Sequence, residues 1–362
     1  KQKLLINRHQ TGQKEDKKMQ KKGSPYGTHR VISPKGVLPQ PADVIDNDME
    51  IYDNEVLIDV QTLNIDSASF TEIERRANGD IEEIKKTMKA IVEKAGKHKN
   101  PWTGSGGMLI GTVKETGENY VGDIKPGDKI ATLVSLSLTP LVIEEIYEVR
   151  PEIDQVDIKG QAILFQSGIY AKLPDDMPEG LALSALDVAG APAQTRKLVH
   201  EGDTVLVIGG GGKSGMLCLY EAKKQAGPKG KVICAAHSQK SLDRAKSLDL
   251  ADEYFASDAT DAVGIYDKIM ELTDGKLADV VINVVNIENT EMGSILACKD
   301  DGVVYFFSMA TSFTKAALGA EGVGKDVTMI VGNGYCKGHA DVTLEDLRES
   351  KPLREMFQKL YA

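Results

Sequence analysis

Long apolar runs are missing from this 362-residue chain. None approaches the roughly 20 residues that span a bilayer, and the richest, Val280–Val285 and Val303–Phe307, are strand-sized. An excess of basic charge is missing too. The 44 Lys and Arg against 54 Asp and Glu leave a net charge of -10, whereas a nucleic-acid partner needs a basic face. Neither nucleic acid nor membrane is expected as a partner. Cysteine is scarce: Cys218, Cys234, Cys298 and Cys336 include no C-x-x-C pair, which argues against a zinc lobe and a redox dithiol. Cys218 and Cys234 sit in apolar stretches and read as buried, inert thiols. With no secretory h-region, the cytoplasm is the expected compartment. What remains is a composition ordinary for a globular protein, 41% hydrophobic and 27% charged, in a chain long enough for two cores. It suits an enzyme acting on a small molecule.

Residues 1–22 are basic and polar without hydrophobic periodicity. They read as a disordered or expression-derived leader, with Met19 a candidate native start. Residues 23–175 carry mostly β signals: Val56, Ile58 and Val60 alternate with polar residues, and Lys125-Pro126-Gly127-Asp128 forms a turn before a strand at 129–134. One helix is predicted over 71–94, where Ile81, Ile84, Met88, Ile91 and Val92 fall near helical spacing. After Leu181 the rhythm changes. Continuous apolar strands at 204–208, 231–236, 280–285 and 303–307 alternate with helix-length segments at 215–226, 240–249, 261–273 and 290–299. Such runs indicate strands buried on both faces of a doubly wound parallel sheet, an α/β domain.

The strongest chemical motif is Val205-Leu206-Val207-Ile208-Gly209-Gly210-Gly211-Gly212-Lys213-Ser214-Gly215. It contains G-x-G-x-x-G as Gly210, Gly212 and Gly215: the first for a tight turn, the second for backbone approach to a pyrophosphate, the third for helix-on-strand packing. A buried strand before it and a helix after it make dinucleotide binding the expected role of Gly210, Gly211, Gly212, Lys213, Ser214 and Gly215. The P-loop alternative fails, because the glycine it needs five residues before Gly212 is Val207. The second strand ends Ala235-Ala236-His237-Ser238, without the acid that binds the ribose of NAD. Its end leaves room for a 2′-phosphate near His237, Ser238 or Lys240, but offers no Arg. Asn283, Val284 and Ser308, at the carboxyl ends of later strands, are further cofactor candidates.

A β-rich half followed by a Rossmann half resembles the medium-chain dehydrogenase/reductase superfamily, on Lys125-Pro126-Gly127-Asp128-Lys129, Gly202-Asp203-Thr204-Val205-Leu206-Val207 and Ala278-Asp279-Val280-Val281-Ile282-Asn283. The resemblance implies a GroES-like catalytic domain over 23–180 with a returning segment 334–362, a Rossmann domain over 181–333, and an active site between the halves. Zinc members carry a cysteine where this chain has Asp66 after Leu63-Asn64-Ile65, and Gly-His-Glu where it has Gly104-Ser105-Gly106. No catalytic zinc is therefore expected, and the inserted helix after Phe70 is atypical. More narrowly, Gly23-Ser24-Pro25-Tyr26-Gly27-Thr28-His29-Arg30, Asn100-Pro101-Trp102-Thr103-Gly104-Ser105-Gly106-Gly107 and Asp187-Val188-Ala189-Gly190-Ala191-Pro192-Ala193-Gln194 resemble the L-erythro-3,5-diaminohexanoate dehydrogenase family. That resemblance implies NAD-linked oxidative deamination to 5-amino-3-oxohexanoate and ammonium in lysine fermentation. It weighs for NAD, with NADP the alternative.

An amine needs only to lose its ammonium proton before a lone pair assists hydride departure, and a general base can do this without a metal. For the base or water activator the candidates are His29, Asp66 and Glu72. Asp187 is expected to hold an ammonium and Arg30 a carboxylate, with Tyr335 and His339 weaker candidates. For Glu72, Asp187 and the His29–Arg30 pair the competing readings are helix-end electrostatics, capping and plain surface. Two other functions compete: a zinc-free NADPH-dependent quinone or enoyl-thioester reductase on the same fold, and a non-catalytic nucleotide-binding protein. A homodimer or homotetramer is expected.

Overall fold

A computed structural model of the chain describes residues 20–361 except Met309 and Asn333, together with the backbone but not the side chain of Ala68. Residues 1–19 of the expected leader lie outside the described residues. From Gln20 the chain is paired: the Lys21 carbonyl accepts from the Asp53 amide at 2.9 Å. The chain divides into two compact units, one ending at Lys172 and one beginning at Leu173.

The first unit opens with a short antiparallel ribbon, β1 (Val31–Ser33) and β2 (Val44–Ile45). Its body is a six-stranded antiparallel sheet of β3 (Val56–Asn64), β4 (Met108–Thr116), β5 (Lys129–Thr132), β6 (Leu141–Arg150), β7 (Gln155–Leu164) and β8 (Tyr170–Lys172), ordered β6-β7-β3-β4-β5-β8. The alternation read at Val56–Val60 holds on one face only. Leu57 is buried as well, because it packs with Ile51, Ile163 and Phe165 in a small second cluster.

The single helix predicted over 71–94 is two, α1 (Ser67–Arg76) and α2 (Ile81–Ala95). Apolar periodicity runs through the break, but Asn78 and Gly79 adopt positive φ of 51° and 74°, which a helix interior does not tolerate. Asp80 then restarts the helix, its carboxylate accepting from the Glu82 and Glu83 amides. Ile84, Met88 and Val92 are buried in the main core beside Val56, Ile58 and Leu63. Each contributes on the order of 1.5–3 kcal/mol.

The second unit holds a parallel sheet of β9 (Thr204–Ile208), β10 (Lys231–Ala236), β11 (Glu253–Ala256), β12 (Ala278–Asn283), β13 (Cys298–Phe306) and β14 (Val327–Val331). Its order, β11-β10-β9-β12-β13-β14, is the 3-2-1-4-5-6 winding of a dinucleotide-binding sheet. The helices α3 (Glu179–Leu186), α4 (Gly190–Leu198), α5 (Lys213–Ala226), α6 (Gln239–Ser247), α7 (Ala262–Leu272), α8 (Glu291–Ala297), α9 (Phe313–Val323), α10 (His339–Glu349) and α11 (Lys351–Tyr361) complete it. The expected segment 334–362 contains α10 and α11, and these pack on α3, α4 and α5 within this unit. The strands β11 and β14 escape the sequence reading because both are short and only half-buried. All four cysteines are free and buried, and burial pushes the Cys218, Cys234 and Cys298 thiols up to about 12. The reading of Cys218 and Cys234 as inert stands.

Candidate functional site

In the second unit the chain leaves β9 through the glycine turn and enters α5. The residue that turns it is Gly209, with φ of +93°, one position before the glycine assigned that role from spacing. Gly215 packs as expected: a Cβ there would lie 2.1 Å from the Gly209 carbonyl oxygen. Gly212 differs from both. Its backbone is extended, and an added Cβ would meet only the Gly209 oxygen, at 3.4 Å. It caps α5 with no side chain, leaving the first-turn amides and the positive helix end open to an anion.

Beside this turn lies a cleft of about 250 Å³ at the carboxyl ends of β9, β10 and β12. Gly209, Gly211, Gly212, His237, Ser241, Ser257, Val284 and Val285 are among its walls. His237 and Val284 therefore stand where they were expected. Ser238 instead caps α6, accepting from the Ser241 amide at 3.2 Å. Asn283 is buried and structural: its amide donates to Thr290 and Ser294, and its oxygen accepts from the Val285 amide. Ser308 donates to Asn286 at 3.1 Å. Lys213 is paired with Asp187 at 2.7 Å, so Asp187, expected to hold a substrate ammonium, carries a cation of its own chain. Ser241, Ser257 and Arg244, which donates to the Gly211 carbonyl at 2.7 Å, were not anticipated. They gave no signal because their positions, on α6 and just after β11, have no fixed spacing from the glycines. The cleft fits a dinucleotide, since the glycine turn lines it and, among the described residues, a Cβ on Gly212 would meet only the Gly209 oxygen. Tyr335 stacks edge-on against His339 at 5.1 Å, and burial lowers the His339 imidazole.

In the first unit the expected catalytic residues separate. Arg30 is fully buried and uses all five guanidinium donors: on both Glu55 oxygens at 2.7 Å, and on the carbonyls of Asp46, Asp48 and Glu50. None is left for a substrate carboxylate. His29 is part of the same knot, accepting from the Ser24 amide at 2.9 Å and donating to Glu55 at 2.8 Å. Burial raises the Glu55 carboxyl, but hydrogen bonds from Arg30 and His29 outweigh it and hold Glu55 below the ordinary carboxylate range. Glu72 sits on the outer side of α1, bonded to Arg75 and Arg76. Those bonds bring its carboxyl down to about 2, which leaves it a poor base near neutral pH.

Asp66 is different. It caps α1, with one oxygen accepting from the Ser69 amide at 3.0 Å, while Oδ2 is buried without a partner among the described residues. The other orphan nearby is His98, wholly buried, with neither ring nitrogen in a hydrogen bond among the described residues. Burial lowers its imidazole to about 4, against the opposing pull of the Asp66 charge and of backbone at Gly106 and His98 itself. The segment after His98 closes onto Asp66. Asn100 donates to the Ser69 carbonyl at 3.0 Å, Thr103 bonds Ser69 through their hydroxyls, and Gly107 lies against the backbone of Asn64, Ile65 and Asp66. No group of three or more His, Cys, Asp or Glu suited to a metal occurs among the described residues.

Sheet order, glycine turn and open cleft define a nicotinamide-dependent oxidoreductase with the medium-chain dehydrogenase fold. Solved structures agree on that fold. A Pseudomonas syringae quinone oxidoreductase superposes with a TM-score of 0.51 at 17% identity, over 89% of this chain and 91% of its own. A Thermus alcohol dehydrogenase does so with 0.50 at 17%, over 86% of each. Family models match twice: "L-erythro-3,5-diaminohexanoate dehydrogenase N-terminal domain" over residues 29–174 and "Zinc-binding dehydrogenase" over 215–334. An L-erythro-3,5-diaminohexanoate dehydrogenase of Acetoanaerobium sticklandii is 60% identical over 342 residues, 94% of this chain and 99% of the relative. Another, of Fusobacterium nucleatum, is 60% identical over 343 residues, again 94% and 99%. The chain belongs to the L-erythro-3,5-diaminohexanoate dehydrogenase family.

Proposed function

We infer that the protein oxidatively deaminates L-erythro-3,5-diaminohexanoate at C3, giving 5-amino-3-oxohexanoate and ammonium, with NAD as oxidant, as a step of lysine fermentation. The observation that carries this reading is 60% identity over nearly the whole length of two relatives named for the substrate. NAD, when bound, would supply the hydride acceptor; Gly211, Gly212 and the amides opening α5 would hold it at its phosphates, with His237, Ser241 and Ser257 lining the same cleft. Asp66 is the base. Its Oδ2, without a partner among the described residues, takes a proton from the C3 ammonium, and the neutral nitrogen then assists loss of hydride. Water completes hydrolysis of the resulting iminium.

The reaction needs no zinc, because the residue types at the family's ligand positions are Asp66 and Gly104-Ser105-Gly106 and because an amine requires no Lewis acid to become a donor. The protein acts in the cytoplasm as a homodimer or homotetramer. Self-association is supported by the edge strand β14, with Val331 57% exposed, and by α9, with Phe313 74% and Leu318 63% exposed. Absorbance of reduced nicotinamide, with the diamine and either NAD or NADP, tests the assignment. Diamine-dependent reduction with ammonium release supports it, and the two cofactor arms decide selectivity. Silence in both, from protein that binds reduced cofactor, sinks it in favour of an enone reductase. Zinc in stoichiometric amount, with activity lost on chelation, would overturn the metal-free mechanism.

A further inference from the structure

Three elements of the second unit meet at the opening of α5. Asp187 ends α3, Lys213 begins α5, and Tyr361 is the last residue of α11. The Lys213 ammonium donates to Asp187 Oδ2 at 2.7 Å and lies 5.6 Å from the centre of the Tyr361 ring, which Phe357 meets edge-on at 5.2 Å. A carboxylate at the carboxyl end of a helix faces the negative pole of that helix, so the gain of Asp187 at this place comes from Lys213. The pair stands open to water, with the Lys213 side chain 29% and the Asp187 side chain 58% exposed, and an ion pair so exposed separates at small cost.

The cleft beside the glycine turn is short of positive charge. No lysine or arginine of the described residues is among its walls, and Arg244, which reaches the turn, donates to the Gly211 carbonyl. The positive end of α5 amounts to about half an elementary charge, whereas the pyrophosphate of a dinucleotide is a dianion. Lys213, at the first position of α5, has the compact charge and flexible stem that let an ammonium change partners.

We propose that Lys213 is the charged ligand of the cofactor phosphates and Asp187 its counter-ion in the free enzyme, so that binding exchanges carboxylate for phosphate. The inference rests on the dinucleotide reading of this turn and deepens it. No covalent bond changes. On release Asp187 takes the ammonium back, which limits affinity and keeps the reduced cofactor exchangeable.

A double-mutant cycle in the full-length protein, read by fluorescence titration with NADH, tests the exchange. Lys213→Met is expected to raise Kd roughly tenfold. Asp187→Asn is expected to lower Kd roughly two- to fivefold, and to do clearly less in the Lys213→Met background, where only the repulsion of the carboxylate itself is removed. Equal factors in the two backgrounds overturn the proposal, as does an unchanged Kd in Lys213→Met. A Kd raised by Asp187→Asn also overturns it, since Asp187 would then support Lys213 rather than compete for it. Thermal melting checks the fold of each variant, and Asp187→Ser replaces Asp187→Asn in the cycle should the latter not fold. Wild type that binds no NADH defeats the dinucleotide reading itself, whereas binding without coupling defeats the exchange alone.

Discussion

Replacing Gly212 with Ala separates a ligand-binding glycine from a structural one. The Gly212 backbone, with φ of -85° and ψ of 177°, is one that alanine adopts freely, and its new Cβ would meet only the Gly209 oxygen at 3.4 Å. The folded protein should therefore be unharmed, or stabilised by about 0.4–1 kcal/mol through a less flexible unfolded chain. The methyl group stands where a pyrophosphate must approach the opening of α5. Displacing it forfeits one charge-assisted hydrogen bond, about 1.5–3 kcal/mol, or roughly 10- to 100-fold in Kd for reduced cofactor. Gly215→Ala is the contrast, since a Cβ 2.1 Å from the Gly209 oxygen and 2.7 Å from Gly210 Cα forces the turn apart. It should lose stability and binding together. Cofactor fluorescence titration alongside thermal melting reads both quantities. Wild-type Kd in a normally melting Gly212→Ala protein would refute the placement of the phosphates at this turn.

Other consequences are equally direct. Glu55→Ala strands the Arg30 guanidinium in the core, and should cost about 3–5 kcal/mol, measured from urea midpoints; a loss under about 1 kcal/mol contradicts the buried knot. Glu72→Gln touches only the Arg75–Arg76 surface cluster, so kcat with the diamine should stay within about twofold; a collapse in rate would restore Glu72 to the chemistry. Burial, with Glu221 beside it, raises the Asp346 carboxyl far above the ordinary range. A group raised in the folded state binds a proton there that the unfolded chain has released, so stability falls as pH climbs from the ordinary carboxyl range towards the folded value. Asp346→Asn removes that titration. The stability difference between wild type and variant should drift against wild type between about pH 5 and 9, and a flat difference would exclude a protonated Asp346.

The second unit was the more legible half because a parallel strand buried on both faces writes itself as an unbroken apolar run. Val205–Ile208 and Val232–Ala236 are buried throughout, and the glycine turn lies between a strand and a helix as its spacing requires. The first unit is antiparallel and half-solvated. Its alternation is diluted wherever a second small cluster covers the outer face, as at Leu57. The α1–α2 break shows another limit. Period 3.6 survives across Asn78-Gly79 almost in phase, so only the turn chemistry of that dipeptide marks the boundary.

Site residues were legible where backbone makes the site and obscure where burial does. Gly212 could be found by spacing because a pyrophosphate needs backbone at a fixed distance along the chain. A catalytic side chain is defined by what surrounds it, and spacing is silent on that. His29 and Arg30 looked available because they sit in a family-like segment, yet Glu55, 25 residues beyond Arg30, takes both. Asp66 was reached by analogy with a ligand position. His98 was invisible to the same analogy, since it follows the helical insertion that lay outside the family pattern. The ligand residue types are missing from their usual places, and among the described residues Asp66 keeps a buried oxygen without a partner. For an alcohol that exchange would forfeit the acidity a metal supplies; for an amine, whose proton a positioned carboxylate can take, it forfeits little.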